Sequence, residues 1–375
     1  MSEPVKALSI APYPFLPPKM GGQKGIALFN HYLSSFVELH CVTTSANQVS
    51  GTEGYPVLPV LGNNKMRYIN PFLFFRLKRL IKKLGITHLI LEHPYYGWLG
   101  VLLKRFCTIK LVVHSHNIEA NRFKSMNKWW WGILWNYEKW THRQADTNFF
   151  IQDDDKAYAI QKFGLRPDRC FTITYGIEIE VAPGDGEKEK ARRVIAEKHG
   201  ISDGEKILLF NGTLDYKPNL DALKIILNEV NPSLLSTTFK YKIIICGKSL
   251  PPEYQALKAY ADKHIIYAGF VDDIDLYFKA ADVFVNPVTD GGGIKTKLVE
   301  ALAHNLAVVT TRSGAIGVPV ELTAGKMTVL SDNDLSSFAN AIIKTDTSAS
   351  IPASFFDHFY WGHIAKKAAV AMGSK

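Results

Sequence analysis

The 375 residues predict about two domains at roughly 100 to 200 residues each, which excludes a small disulfide-stapled module. Apolar residues make up 47% and charged residues 21%, a balance that suits a folded globular protein and is too apolar for a disordered one. The net charge of +9 lies wholly in the first half: residues 1–183 hold 22 Lys and Arg against 13 Asp and Glu, and residues 184–375 hold 22 of each. Such an excess suits a phosphate-bearing ligand, a nucleic acid, an anionic membrane surface or a plain solvated basic face. Cys41, Cys107, Cys170 and Cys246 are widely spaced, with no C-x-x-C pair, and read as reduced, mostly buried thiols rather than a metal site or a disulfide framework. The opening MSEPVKALSIAPYP lacks the apolar core of a secretory signal, and no apolar run nears the ~20 residues that span a bilayer. A cytoplasmic protein is expected, peripheral on a membrane at most.

In chain order, strand-like runs fall at ALSIAPY (7–13), VELHCVTT (37–44), HLILEH (88–93), IKLVVHSH (109–116), TNFFIQ (147–152) and CFTITYG (170–176). Their shortness, β-branched content and intervening amphipathic stretches predict a parallel sheet with helices on both faces. EIEVAPGDGEKEK (178–190), rich in charge, Gly and Pro, reads as a linker. The pattern then restarts at KILLFNG (206–212), YKIIICG (241–247), HIIYAGF (264–270), DVFVNPV (282–288) and LAVVTTR (306–312). Two α/β, Rossmann-like domains are predicted, over residues 1–180 and 181–355, with a terminal helix over 356–375. Open parallel sheets bind ligands beyond the carboxyl ends of their strands, so the loops there are where chemistry belongs. Neither G-x-G-x-x-G after the first strand nor a Walker A loop is present, which argues against an NAD-dependent enzyme.

The richest segment is FVNPVTDGGGIKTKLVEALAHNLAVVTT (284–311). Gly291, Gly292 and Gly293 form a turn before a helix predicted over 294–303, whose first N–H groups, from Ile294 to Thr296, suit a diphosphate. Lys295 and Lys297 are placed in the first turn, where a cation is unfavourable unless an anion is bound nearby. Glu300, one turn on, could accept from ribose hydroxyls or pair with Lys297 at i,i+3 on a solvated face.

This segment resembles the GT-B glycosyltransferases, in particular the retaining enzymes of family 4, also called group 1. Asn286-Pro287 and Glu300-Ala-Leu-Ala match that family's strand end and the second half of its Glu-x7-Glu motif, whereas Gly292 stands where the first Glu is expected. The resemblance makes Asp290 the nearest substitute for an acid that touches the donor sugar. It extends to LLFNGTLDYKPNLDAL (208–223), where Gly212 and Lys217 would face the donor diphosphate and Thr213 replaces a usual Arg, a charge that Lys295 or Lys297 could supply. In GFVDDIDLYFKAADVFVNP (269–287) Val271 and Asp272 would border the donor base, with Gly247 on a neighbouring strand-end turn. The resemblance implies two domains facing across a cleft, a terminal helix crossing back to the first, a UDP- or GDP-sugar donor, and no cofactor or metal.

In the first half, PYPFLPPKMGGQKGIALFNHYL (12–33) resembles the family's loop that opens a helix toward phosphate and acceptor. Gly21 and Gly22 suit backbone approach to an anion, Lys19 and Lys24 flank them, and a helix start is expected near Gly25. His116 in VVHSHNIEANR (112–122) matches a strand-end histidine used beside the transferred sugar; His114 competes for that role, and His31, His88 and His93 read as structural. PFLFFRLKRLIKKLG (71–85) places Leu77, Leu80, Ile81 and Leu84 on one face, amid Arg76, Lys78, Arg79, Lys82 and Lys83, for a membrane interface or for inward packing. KSMNKWWWGILWNYEKW (124–140) holds five tryptophans, of which at least one should be exposed to headgroups or sugars because successive helical residues turn about 100°. No nucleic-acid-binding module is recognisable, which argues against that partner. The expected activity is transfer of a sugar from a nucleotide diphosphate to a glycan or lipid-linked hydroxyl, with His116, Asp290 and Lys217 as catalytic residues. A catalytically silent nucleotide-sugar-binding or scaffold protein and a nucleotide-sugar epimerase of the same fold are the alternatives.

Overall fold

The computed structural model describes residues 4–18, 21–291 and 293–374. The chain forms two compact units, Met1–Gly176 with Phe359–Lys375, and Ile177–His358. The division sharpens the charge asymmetry. The first unit carries 25 Lys and Arg against 11 Asp and Glu, a net of +14, and the second 19 against 24, a net of −5.

The first unit is built on a seven-stranded parallel sheet: β1 Lys6–Ile10, β2 Glu38–Thr44, β3 Val57–Leu61, β4 His88–Glu92, β5 Lys110–Ser115, β6 Thr147–Phe150 and β7 Cys170–Thr172, in the order β3-β2-β1-β4-β5-β6-β7. Its helices are α1 Gly21–Leu33, α2 Phe72–Leu84, α3 Gly97–Phe106, α4 Glu119–Ser125, α5 Trp131–Gln144 and α6 Asp153–Tyr158. The central strands are buried on both faces, which is why they read as unbroken apolar runs. β3 was not foreseen, because Pro59 interrupts its run; as an edge strand it tolerates the missing N–H.

The apolar face of α2 packs inward: Leu73, Leu77 and Ile81 join Leu89, Leu91 and Leu111 in the core. The membrane reading of that leucine face is therefore corrected. What α2 exposes is Phe72 and Phe75, 76% and 65% accessible, together with Arg76, Arg79, Lys82 and Lys83. The tryptophan run is likewise not one helical stretch, since α5 begins only at Trp131 and Trp129 stands 84% exposed before it.

The second unit starts with α7 Asp185–His199, so the expected linker ends near Gly184 and its charged part is a first helical turn, with Asp185 and Glu187 at the positive end of the dipole. Its six strands, β8 Lys206–Asn211, β9 Tyr241–Cys246, β10 Ile265–Gly269, β11 Val283–Asn286, β12 Ala307–Thr311 and β13 Met327–Leu330, are parallel in the order β10-β9-β8-β11-β12-β13. The helices that follow α7 are α8 Lys217–Ile225, α9 Asn231–Leu235, α10 Ile274–Ala280, α11 Thr296–Ala303 and α12 Phe338–Lys344. The C-terminal segment is two helices broken at Tyr360, α13 Ala353–Phe359 and α14 Trp361–Met372, and α14 returns to pack on α1 with Trp361 buried.

Close packing of α3 on α5 depends on Gly97. A Cβ there would lie 2.0 Å from Thr141 Oγ1 and 2.6 Å from its methyl carbon. Gly97→Ala should therefore destabilise the first unit by roughly 1–3 kcal/mol, read as a lower melting temperature. Gly186→Ala, in α7 with open space around the same atom, should leave melting unchanged or raise it.

Candidate active site

In the first unit β4 and β5 run side by side with Glu92 in register with His114. That pairing brings one carboxylate under two imidazoles. Glu92 Oε2 lies 2.8 Å from His116 Nε2, in a hydrogen bond, and 3.0 Å from His114 Nδ1, without the alignment of one. Burial would raise the Glu92 carboxyl, but His114 and His116 overcome it and hold the group well below the usual carboxylate range. Burial pushes His116 down, partly offset by Glu92, so at neutral pH its proton sits on the Nε2 that faces the carboxylate. The Nδ1 edge of the ring then faces α1 at Gly25, where a Cβ would lie 4.0 Å from Nδ1.

His93, expected to be structural, joins this cluster. Its φ of 72° is costly for a residue with a Cβ, of order 1–3 kcal/mol, and the bond from its N–H to His114 O at 2.9 Å holds it there. The ring stacks on His116 with centroids 4.4 Å apart and shares a 2.9 Å hydrogen bond with the Tyr13 hydroxyl. Glu119 opens α4 and accepts from Tyr95 at 2.7 Å and Arg122 at 2.8 Å, with His93 Nδ1 at 3.3 Å. Burial works against it, yet these neighbours hold its carboxyl at about 2. Helix α1 starts at Gly21 rather than near Gly25, so Gly21 and Gly22 lie in its first turn, with Gly22 beside the Tyr13 hydroxyl. Lys19 lies outside the described residues. Among those residues one group, Glu92, His114 and His116, brings three metal-ligating atoms within 4.8 Å of one another.

In the second unit the strand order reverses between β8 and β11, the crevice position of open α/β sheets. Lys297, in the first turn of α11, reaches back to the end of β8, where Nζ donates to Asn211 O and Asn219 Oδ1, both at 2.8 Å, and sits over the Phe210 ring. It does not use Glu300 as an i,i+3 partner. Burial, aggravated by Lys295, pushes its amino group down to about 7, with Glu300 opposing. Gly212 borders that amino group; a Cβ there would come 3.1 Å from Nζ and 2.7 Å from Asn219 Nδ2. At Gly247 a Cβ would strike Gly212 O at 2.0 Å, so both loops require glycine.

Lys295 precedes α11 instead of opening it, and its Nζ donates to Gly291 O. Gly291 lies against Tyr216 and Pro218 at the start of α8, and its N–H donates to Asp290 Oδ1 at 2.6 Å. Asp290 is exposed, as is Lys217, which pairs with Asp221 at 2.7 Å on a solvated helix face. Ile294 packs on Gly317, and Thr296 is the first residue of α11. Val271 and Asp272 follow β10, whose Gly269 O accepts from Gly247 N–H at 2.7 Å. The Gly212, Gly247, Gly291 and Lys297 loops thus adjoin one another, whereas Lys217 turns to its own helix. Gly292 lies outside the described residues. Sequence reasoning missed Glu92, His93 and Asn219; a lone carboxylate inside the apolar run HLILEH was the available signal for Glu92.

Residues 25–181 match the family model described as Glycosyltransferase Family 4, and residues 205–346 match that of Glycosyl transferases group 1. The chain belongs to these GT-B glycosyltransferases. The glycosyltransferase is 25% identical over 283 residues to an uncharacterized glycosyltransferase of Methanocaldococcus jannaschii, covering 72% of this chain and 69% of that protein. It is 29% identical over 144 residues to the alpha-monoglucosyldiacylglycerol synthase of Streptococcus pneumoniae, a match spanning 36% of this chain and only 31% of that enzyme. Among solved structures, Anabaena HepE in complex with UDP superposes with a TM-score of 0.74 at 15% identity, covering 99% of this chain and 100% of HepE.

Lys297 gives the glycosyltransferase a pH signature. The unfolded lysine keeps its proton up to its ordinary value of 10.5, the folded one only to about 7. Between those values the unfolded chain binds the extra proton, so this residue makes stability rise with pH across that window. Thermal melts of Lys297→Met against the parent should show the variant's advantage at pH 6.5 shrinking by pH 9.5. A difference constant with pH would mean that the amino group stays solvated.

Proposed function

We propose that the protein transfers a sugar, with retention of configuration, from a UDP-sugar or GDP-sugar to a hydroxyl of a glycan or lipid-linked acceptor. The observation that carries this reading is Lys297: a half-buried amino group at the strand-order reversal, held by neutral oxygens and bordered by glycine backbone. Such a group is stabilised by an anion, and a diphosphate would restore its charge. The binding of UDP by HepE, a protein of the same fold, supports UDP as the donor nucleotide.

Charge development on the departing diphosphate would be stabilised by Lys297, Lys295 and the N–H groups that open α11. Lys217 would exchange Asp221 for phosphate, and Glu300 would take the ribose. In the second unit Asp290 would be the acid that meets a sugar hydroxyl; in the first, His116 would offer one the Nδ1 edge that Glu92 orients. With lysines supplying the positive charge, turnover needs no metal. The leaving phosphate takes the acceptor proton, as suits a retaining route.

UDP titration by calorimetry at pH 8 should show proton uptake approaching one per site, lost in Lys297→Met together with at least tenfold of affinity. Release of UDP from UDP-sugars should fall at least 100-fold in His116→Ala and survive EDTA. Loss in EDTA with recovery on added zinc would instead make Glu92, His114 and His116 a metal site.

The outer face of α2 supports a peripheral position on an anionic membrane, with aromatic side chains among four cations. No helix among the described residues is long and apolar enough to cross one. Flotation with vesicles containing phosphatidylglycerol should be lost in Lys82→Glu/Lys83→Glu and weakened by salt. Unaltered flotation would remove α2 from the membrane.

A further inference from the structure

Between α4, α5 and α6 the first unit holds a groove of about 390 Å³, within the roughly 300–1,000 Å³ usual for small-molecule sites. Its walls are the rings of Trp131 and Trp135, the amides of Asn121 and Asn136, Lys124 and Tyr158. The two tryptophans stand at i and i+4, so both belong to one face of α5, while Glu138, Thr141 and His142 are the buried residues of that helix. The rings are held. Trp135 Nε1 donates to the Tyr158 hydroxyl at 3.0 Å, and that hydroxyl donates to Asn121 Oδ1 at 3.3 Å. Asn121 thereby keeps its Nδ2 donors for another group. Asn136 spends one Nδ2 hydrogen on Gly132 O at 2.9 Å and keeps its Oδ1 as an acceptor. Two ammonium groups stand at the rings, Lys124 Nζ 4.6 Å over Trp131 and Lys139 Nζ 4.9 Å over Trp135.

Aromatic faces, one amide donor, one amide acceptor and the Lys124 ammonium in the lining match a pyranose ring that carries an acidic substituent. The C–H face of the sugar meets the negative ring faces, its hydroxyls meet the amides, and its acid meets ammonium. A neutral apolar ligand would leave the amides and the Lys124 charge unused. The groove also shares a helix with the histidine cluster: α4 begins with Glu119, which binds Tyr95 and Arg122, and Asn121 follows two residues later. Glu138, one α5 turn after Trp135, accepts from the N–H groups of Glu119 and Ala120, each at 3.0 Å, and so ties the two helices together beside the groove.

We propose that this groove binds an acidic saccharide unit of the acceptor glycan, a reading that rests on the glycosyltransferase function above. Saturation-transfer NMR and calorimetry with cellobiouronic acid, with cellobiose as its neutral counterpart, test it in the absence of donor. The acid should bind at least tenfold more tightly than the neutral sugar. Trp135→Ala and Asn121→Ala should each weaken it about tenfold, and Lys124→Gln should narrow the preference for the acid. Trp129→Ala, outside the groove, should leave binding unchanged. Should Trp135→Ala fail to fold in a melting control, Asn136→Ala takes its place with the same expected loss. Equal binding of both sugars, or binding unaffected by all these variants, overturns the proposal. So does shielding of the tryptophans by phosphatidylglycerol vesicles without any saccharide binding, which would make the groove a lipid contact. UDP titration of the same samples separates the two readings. UDP binding without saccharide binding sinks the groove alone, and saccharide binding without any nucleotide binding sinks the donor assignment while the groove stands.

Discussion

A parallel sheet wound outward from its first strand must send its two halves off in opposite directions, and the loops at the point of reversal part to leave backbone uncovered. In the second unit that point lies between β8 and β11, and in the first between β1 and β4. The histidine cluster and the Lys297 site both lie there. Gly212 and Gly291 come from the two strands that flank one reversal. Tyr13 and His93 follow the two strands that flank the other, and the hydroxyl of one meets the ring of the other. The fold creates the openings, and side chains of one charge or the other then fill their floors.

Those floors are finished differently. Glu92 is buried almost completely, yet His116 at the end of the next strand gives its carboxylate a hydrogen bond and His114 Nδ1 stands 3.0 Å away, so its partners are supplied by the same sheet and it orients His116. Lys297 has no such answer. A carbonyl and an amide oxygen satisfy two of its three hydrogens but bring no negative charge, and taking an ammonium partly out of water costs several kcal/mol unless it is paired. The protein keeps a group that would be more stable as methionine, which is the pattern of a binding site rather than of a core.

The strands of both sheets were legible because sheets covered on both faces need unbroken β-branched runs, and the two that escaped are edges: β3 is interrupted by Pro59, and β13 is only half-buried after Met327. The Lys297 site was legible for a related reason, a cation at the wrong end of a helix. Lys217 was singled out by the family resemblance alone, and Asp221 one turn later gives it a partner in solvent, a competition that a motif match does not rank. Glu92 and His93 were illegible in a stronger sense. Their roles depend on which residue of β5 lies opposite β4, and register is a property of the assembled sheet.

Charge separates the two units more sharply than it separates the two halves of the sequence. The unit that holds Lys297 is net negative, so its long-range field does not favour anions, and any attraction for one there is confined to lysines acting within a few ångströms. The unit with the histidine cluster carries +14, and two of its cation-bearing surfaces also present aromatic rings, the outer face of α2 and the wall of α5. Solvated lysines need no aromatic neighbours to keep a protein in solution. Their pairing with exposed Phe and half-buried Trp is what a surface needs when its partner is anionic at one end and ring-like or hydrocarbon at the other.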